Sequence, residues 1–119
     1  MVMLGGATGT LARYVVGTAL MTRLGPRFPW GTFAINITGS FLIGLLMTLL
    51  TEQLNADPRW RLLLVVGFLG GYTTFSSFEW ETLSLIKDGS HLLAIFNVVG
   101  SVVFGYAAVW LGATIAAKR

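Results

Sequence analysis

The residues best suited to chemistry lie together in the third apolar segment of the chain. The glycine pair Gly70-Gly71 is followed by a run of hydroxyl and aromatic residues, Tyr72-Thr73-Thr74-Phe75-Ser76-Ser77-Phe78. Glycine and β-branched residues weaken a helix, so we expect the helix to break here. In a bilayer, non-helical backbone is tolerated only inside protein or beside a water-filled cavity, where it commonly forms ion sites.

Such a break exposes backbone groups that can bind either a cation or an anion. Backbone carbonyls near residues 70–73 can hold a small cation, while the amides that begin the next half-helix favour an anion. Phe75 and Phe78 are three residues apart and share a helix face. Their positive ring edges, flanked by the Thr74, Ser76 and Ser77 hydroxyls, would form a weak anion surface of the kind that suits conduction. Ordinary packing is the alternative interpretation of the two phenylalanines.

The first apolar segment carries a cation among small residues. Gly5, Gly9, Arg13 and Gly17 recur at steps of four and therefore share one helix face. The glycines are typical of a packing seam, whereas an arginine within a membrane normally faces a partner or an aqueous cavity unless it extends to the surface. Glu81, at the end of the third segment's uncharged core, can face Arg13 across a vestibule or lie at a solvated helix end.

Polar stripes also mark the second and fourth segments. They are Thr32, Asn36 and Ser40 in the second segment, and Asn97, Ser101 and Gly105 in the fourth. Such stripes form either interhelical hydrogen bonds or the wall of a permeation path. Asparagine is hard to satisfy in hydrocarbon, so Asn36 and Asn97 favour the path as much as packing.

Four apolar runs must position these groups. A helix needs about 20 residues to cross a bilayer, and the runs predict four transmembrane helices over about residues 3–23, 30–51, 59–86 and 90–116 of a single domain, residues 1–119. Asp57 before Pro58 is typical of a helix start, and the residues 87–90 form the last break. Connectors this short leave no extramembrane domain, so any function must lie among the helices.

Composition supports the membrane assignment. Charged residues are 11% and hydrophobic residues 55% of the 119, with a mean hydropathy of +0.76, whereas soluble domains carry about 25% charge. The absence of cysteine and the single histidine, His91, leave little for metal or hydrolytic chemistry. We therefore expect an all-α membrane protein that is not an enzyme, and the scattered basic residues predict no nucleic-acid partner.

The basic residues leave the orientation of the chain almost undecided. With four crossings, one side carries Arg59, Arg61, Lys118 and Arg119, and the other carries Arg23, Arg27 and Lys87. The positive-inside rule needs a clear excess on one side. The near balance predicts insertion in both orientations and an antiparallel homodimer, with a weakly biased single orientation as the alternative. Side chains fill the axis of a four-helix bundle, so a pathway would need a second subunit.

Several motifs together resemble the Fluc (CrcB) fluoride channels of microbes. They are Gly5-Gly6-Ala7-Thr8-Gly9 with Arg13-Tyr14, Gly31-Thr32 with Asn36 and Gly39-Ser40-Phe41, and the segment from Gly70 to Phe78. The resemblance implies an antiparallel, dual-topology homodimer with two pores in the inner (cytoplasmic) membrane, surrounded by lipid. It also implies passive fluoride export that relieves toxicity, and a structural sodium ion (Na⁺) at the dimer centre.

The resemblance also implies roles for individual residues. Phe75 and Phe78 would be the pore phenylalanines, Asn36 and Ser101 would belong to the polar pore wall, and Gly70 and Thr73 would supply sodium-binding carbonyls. Arg13 would line the vestibule. Two departures are Ser77, where threonine is commoner, and Gly105, which has no hydroxyl. The expected pore-lining set is Phe75, Phe78, Asn36, Thr74, Ser76, Ser101 and Asn97, with Arg13 and Glu81 in the vestibule.

Two rival functions share parts of this pattern. A proton-coupled exporter resembling the small multidrug resistance family would share the length and the balanced charge, but it needs a buried carboxylate, and all five acidic residues lie near segment ends or connectors. A membrane assembly factor without transport activity would explain the packing seams but neither the broken helix nor Arg13. Composition and spacing reach a dimeric transporter or channel; fluoride comes from the resemblance.

Overall fold

A computed structural model describes residues 1–118, and within them the chain is helical without any strand. Five helices follow one another: α1 Val2–Leu24, α2 Trp30–Gln53, α3 over residues 58–72, α4 Ser76–Lys87 and α5 His91–Ala117. Taking α3 and α4 as one interrupted unit, every end lies within two residues of the predicted bound. Arg119, which entered the charge comparison, lies outside the described residues.

Three stretches are long and apolar enough to cross a membrane. They are Trp30–Gln53, Pro58–Lys87 and His91–Ala117, which confirms the all-helical chain and is consistent with a membrane protein. The first helix has sufficient length, 23 residues, but glycines, threonines and Arg13 make it less apolar than the others.

Glycines allow close contact between backbones in two helix pairs. An added Cβ on Gly5 or Gly9 of α1 would overlap the carbonyl oxygens of Leu63 and Phe68 in α3. Gly112 of α5 approaches the Phe41 carbonyl of α2 in the same way. Small residues at helix contacts are the usual means of tight packing in membranes, so the packing interpretation of Gly5 and Gly9 is confirmed.

The middle of α3 is π-helical over Leu62–Leu69. Pro58–Arg61 and Gly70–Tyr72 on either side are α-helical. A π-helical segment winds more widely than an α-helix and is frequent near functional sites. The third helix is therefore irregular before it reaches its break.

The predicted break in the third helix is confirmed, and it lies at residues 73–75. The backbone of Thr73 is extended, with φ −85° and ψ 159°, and α4 begins at Ser76. Thr73 Oγ1 donates to the Leu69 carbonyl at 2.8 Å, and Ser77 N–H donates to Thr74 Oγ1 at 3.3 Å. Hydroxyl side chains thus compete for backbone partners.

The neighbouring glycines do not break the helix, and Gly71 has a different role from the one expected. Gly70 and Gly71 remain helical. A Cβ on Gly71 would lie 2.6 Å from the Gly6 carbonyl oxygen and 2.9 Å from Thr10 Oγ1. This glycine therefore allows α1 to approach α3, while the hydroxyl residues after it form the break.

The helix has a hydrogen-bonded cap at both predicted boundaries of the third segment. Asp57 accepts a hydrogen bond from Arg59 N–H at 2.9 Å, with Pro58 as the first helical residue. At the other end, Gly89 has φ +80°, and Ser90 N–H donates to the Leu85 carbonyl at 2.8 Å. That bond and the left-handed glycine are the features of a Schellman motif.

Candidate functional site

The break in the third helix opens onto a cavity of about 600 Å³, which we call the first cavity. Seven of the predicted site residues line it: Asn36, Gly70, Thr73, Thr74, Phe75, Phe78 and Ser101. The rest of its wall is Gly39, Ser40, Ile43, Val65, Leu69 and Val102. None of these lining residues carries a charge, so the cavity offers only dipoles, hydroxyls and ring edges to a ligand.

The two phenylalanines lie side by side but in different surroundings. Their ring centroids are 5.9 Å apart and the rings are tilted by 50°. Phe78 is 8% exposed, whereas Phe75 is 73% exposed. The protein therefore holds Phe78 in place by packing, while Phe75 stands at the surface of the single chain.

Asn36 holds the broken backbone at Thr74. Its Nδ2 donates to the Thr74 carbonyl at 2.9 Å, and Thr74 N–H donates to Asn36 Oδ1 at 2.9 Å. In an unbroken helix Thr74 N–H would donate to the carbonyl of Gly70. One asparagine thus satisfies both backbone groups of the half-buried Thr74, whose regular helical partners the break removes.

Ser101 contributes a hydroxyl without a protein partner. Its Oγ is buried and makes no hydrogen bond within the described residues, and it lines the first cavity. Buried polar atoms are nearly always hydrogen-bonded. This hydroxyl is therefore available to a ligand in the cavity.

A second cavity of about 600 Å³ contains charged residues. Arg13 and Glu81 both line it, together with Thr32 and Thr74. Thr32 Oγ1 donates to Glu81 Oε2 at 3.0 Å, while Glu81 Oε1 is buried without a hydrogen-bond partner in residues 1–118. Thr74 lines both cavities, so the break in the third helix lies between them.

Arg13 and Glu81 share the second cavity without forming an ion pair. The salt bridge found among the described residues joins Arg59 to Asp57, at 2.9 Å. The two charges can therefore act separately on ions within the second cavity.

Two predicted residues lie elsewhere. Asn97 is 1% exposed, lines neither cavity, and donates from Nδ2 to Thr82 Oγ1 at 2.9 Å. It joins α5 to α4. Ser76 is exposed at the start of α4 and also lines neither cavity.

Two residues that shape the cavities were not in the predicted pore or vestibule sets, although Thr32 was named in the polar stripe of the second segment. Thr32 holds Glu81, and its spacing of four from Asn36 was the available signal. Gly39 leaves room for Thr73, because a Cβ there would overlap Thr73 Cγ2. No local pattern distinguishes that glycine from the others.

The carbonyl groups near the break are suitable for a hard cation. No cluster of three or more His, Cys, Asp or Glu side chains occurs in residues 1–118, whereas Gly70 and Thr73 both line the first cavity. Because Thr74 N–H donates to Asn36, Gly70 lacks its usual helical donor. Carbonyl oxygens replace the hydration shell of alkali cations elsewhere in membrane proteins. The donor type therefore fits sodium, with two residues per chain.

Apolar helices around polar cavities define a small multi-pass membrane protein. Residues 1–113 match the family described as "CrcB-like protein, Camphor Resistance (CrcB)". The chain belongs to this family, which confirms the resemblance inferred from its motifs.

Three curated relatives that match nearly the whole chain carry the name "Fluoride-specific ion channel FluC". The relative from Solibacter usitatus is 59% identical over 118 residues, covering 99% of this chain and 97% of the relative. The relative from Acidobacterium capsulatum is 53% identical, covering 93% and 89%. The relative from Agrobacterium fabrum is 51% identical, covering 94% and 90%. Because these relatives are channels, the expectation that the chain is not an enzyme is confirmed.

Proposed function

We propose that this protein is a fluoride-selective ion channel that passively exports fluoride across the cell's inner (cytoplasmic) membrane and so relieves fluoride toxicity. One observation carries the proposal: an uncharged cavity at the broken helix brings together Phe75, Phe78, Asn36 and Ser101. The names of the relatives supply the identity of the ion.

The first cavity has the chemistry of a weak anion site. Phenylalanine edges are positive, and the free Ser101 hydroxyl can donate a hydrogen bond to an anion that has lost water. A full positive charge would hold the ion too tightly, since conduction requires an ion to leave as readily as it enters. Neutral hydrogen-bond donors therefore favour passage of the ion over tight binding.

The second cavity is the vestibule in this proposal. Arg13 attracts anions from solution, because its guanidinium carries a permanent positive charge. Glu81, held by Thr32 at 3.0 Å, opposes that attraction and prevents Arg13 from trapping the ion.

The working unit in this proposal is an antiparallel homodimer with two pores, each chain crossing the membrane four times. Three observations support it. Phe75 is 73% exposed although it lines the first cavity. Large apolar side chains such as Tyr106 and Trp110 are exposed along α5. The basic residues are divided almost equally between the two sides of the four predicted crossings. A second copy would enclose Phe75, and lipid would cover the remaining apolar surface. In this arrangement α1 crosses the membrane in addition to the three more apolar stretches, and it packs against α3 through Gly5 and Gly9.

A structural sodium ion at the dimer centre belongs to the same proposal. Gly70 and Thr73 would offer carbonyl oxygens from each chain. Because one chain supplies only two such residues, the ion would require both copies, and its loss would weaken the dimer.

Fluoride efflux from reconstituted liposomes, followed with a fluoride electrode, tests the channel directly. We expect electrogenic efflux without a pH gradient, and we expect Phe75→Ile or Phe78→Ile to abolish it while the dimer persists in crosslinking. Phe96→Ile is the matched control, since Phe96 lines neither cavity. Flux like that of the unmodified protein from both Phe75 and Phe78 variants would remove them from the pore.

One observation favours proton-coupled export as a second candidate function. Glu81 is half-buried, and its Oε1 has no partner within the described residues, so the buried carboxylate that an exporter needs is present after all. An exporter would require a pH gradient and would stop on Glu81→Gln. A channel would conduct without the gradient, and Glu81→Gln would change the size of its flux without making that flux depend on a gradient.

Labelling from one side of sealed vesicles tests the antiparallel arrangement. The chain has no cysteine, so Asn55→Cys in the exposed connector before α3 provides a single reactive site. We expect an impermeant maleimide to label about half of the chains, as an equal mixture of orientations requires. Complete labelling, or none, would contradict dual topology.

A further inference from the structure

A third cavity lies away from the proposed ion path, where the connector between α1 and α2 meets the start of α5. Its volume is about 750 Å³, within the range of small-ligand sites. Arg27, Phe28 and Trp30 line one side, and Ser90, His91 and Leu92 line the other. None of these residues lines the first or the second cavity.

The walls of the third cavity have two chemical characters. Arg27, Ser90 and His91 offer hydrogen-bond donors, and the guanidinium is permanently charged. Phe28 and Trp30 form a rigid aromatic wall, with ring centroids 4.7 Å apart and Phe28 packed 5.4 Å from Phe96. Leu92 is 83% exposed. A ligand that fits both walls must carry a polar group at one end and an apolar chain at the other.

The charge at the end of the molecule that contains the third cavity favours an anionic ligand. Its basic residues are Arg23, Arg27 and Lys87, and its acidic residue is Asp88, which does not line the cavity. Lys87 lies 5.8 Å from the centroid of the Trp80 ring. Arg27 makes no salt bridge within the part of the chain that the structure describes, so the cavity contains an uncompensated cation.

The position of the cavity matches the depth of lipid headgroups. Trp30 begins α2 and His91 begins α5, two stretches that are apolar enough to cross a bilayer. Tryptophan at the end of such a helix normally lies at the membrane interface. Basic pockets between helices at that level bind anionic lipid headgroups.

We propose that the third cavity is a binding site for an anionic phospholipid. Arg27 contacts the headgroup phosphate, with Ser90 and His91 donating further hydrogen bonds, and one acyl chain lies along Trp30 and Leu92. This proposal depends only on the chain being embedded in a membrane, and it holds whether or not the protein conducts fluoride.

Native mass spectrometry of the detergent-purified protein tests the site with phosphatidylglycerol and phosphatidylcholine as probes. We expect the unmodified protein to retain phosphatidylglycerol preferentially. Arg27→Gln should weaken that retention about fivefold, the factor that corresponds to one basic side chain near a charged lipid surface. Arg23→Gln is the matched control, because Arg23 lies in the same region but does not line the cavity.

The test has three outcomes that would overturn the proposal. Equal retention of the two lipids would remove the preference for an anionic headgroup. Equal losses in Arg27→Gln and Arg23→Gln would show only diffuse attraction to charge. Displacement of the lipid by soluble glycerol phosphate at equal concentration would show a site for the free anion, without any role for Trp30 and Leu92. A Leu92→Asn variant that loses retention while keeping the same oligomeric state would support the acyl contact.

Discussion

The two cavities that meet at Thr74 differ in how they can act on an anion. The first is lined by phenylalanine, hydroxyl, amide and aliphatic side chains without any charge. The second contains Arg13 and Glu81 in the same volume of about 600 Å³. Charge therefore lies on one side of the break in the third helix, and neutral donors lie on the other.

This difference suggests that the two cavities have different roles along the proposed ion path. Charged groups act over distance and concentrate ions, but they hold a dehydrated ion strongly where water is excluded. Neutral donors act only at contact and release the ion easily. Asn36 and Thr74 separate the two environments, and their reciprocal hydrogen bonds, both 2.9 Å, keep the separating backbone in place.

Asn36→Leu should have the largest effect, because it removes the group that holds the boundary. The variant leaves Thr74 N–H and C=O without their partner, at a cost of ~1–3 kcal/mol for each unpaired group. We expect lost flux together with a clear fall in thermal stability. Both quantities can be measured on the same detergent-purified and reconstituted sample.

Asn97→Leu is the matched comparison for that experiment. Asn97 makes one interhelical hydrogen bond, to Thr82, and lines neither cavity. We expect a stability loss of ~1 kcal/mol with flux retained in the molecules that fold. If Asn97→Leu abolishes flux and Asn36→Leu does not, the assignment of the boundary is wrong.

Ser101→Ala tests the neutral cavity by itself. The Ser101 hydroxyl has no protein partner, so its removal should leave stability unchanged or slightly higher. Fluoride flux should fall about tenfold, the factor that corresponds to one hydrogen bond to the ion. A loss of stability without a loss of flux would show that the hydroxyl is structural.

Arg13→Gln tests the charged cavity. Removing the cation should lower flux about threefold at low ionic strength, and the difference should shrink above about 0.15 M salt because salt screens charges over about 8 Å. The difference in flux between Ser101→Ala and the unmodified protein should show no such dependence on salt, because that variant retains Arg13. If the two variants respond to salt in the same way, the two cavities do not differ as proposed.

Asp57→Ala should have the smallest effect, because Asp57 lies outside both cavities. The side-chain hydrogen bonds from Arg59, and then its backbone N–H, hold the pKa of this carboxyl below its ordinary value of 3.8. A lowered pKa in the folded state means that the stabilisation is present above pH 3.8 and is lost as the pH falls through the lower value.

Thermal unfolding scans of the unmodified protein and Asp57→Ala, at neutral and acidic pH, measure how much the Asp57 cap contributes to stability. The unmodified protein should be slightly more stable at neutral pH, and the two should converge in acid. Asp57→Asn retains a capping oxygen and serves as the control. A difference that grows in acid would contradict the sign of the pKa shift.

Much of the fold was predictable because its signals are local. The capping aspartate and Pro58 begin the third helix, Gly89 ends α4, and the hydroxyl run after Gly71 marks the broken helix. These effects depend on residues within one or two turns of each other. The motifs around Gly5, Asn36 and Phe75 together were also sufficient to recognise the family.

Other features depend on contacts between distant segments. Asn36 and Asn97 are the same residue type on comparable polar stripes, yet Asn36 holds the backbone at Thr74, 38 positions away, while Asn97 is buried against Thr82. Gly71 looked like a helix breaker, but it is a contact for α1. Local sequence specifies which groups a helix presents, whereas packing against the other helices decides which of those groups are paired and which remain open to a cavity.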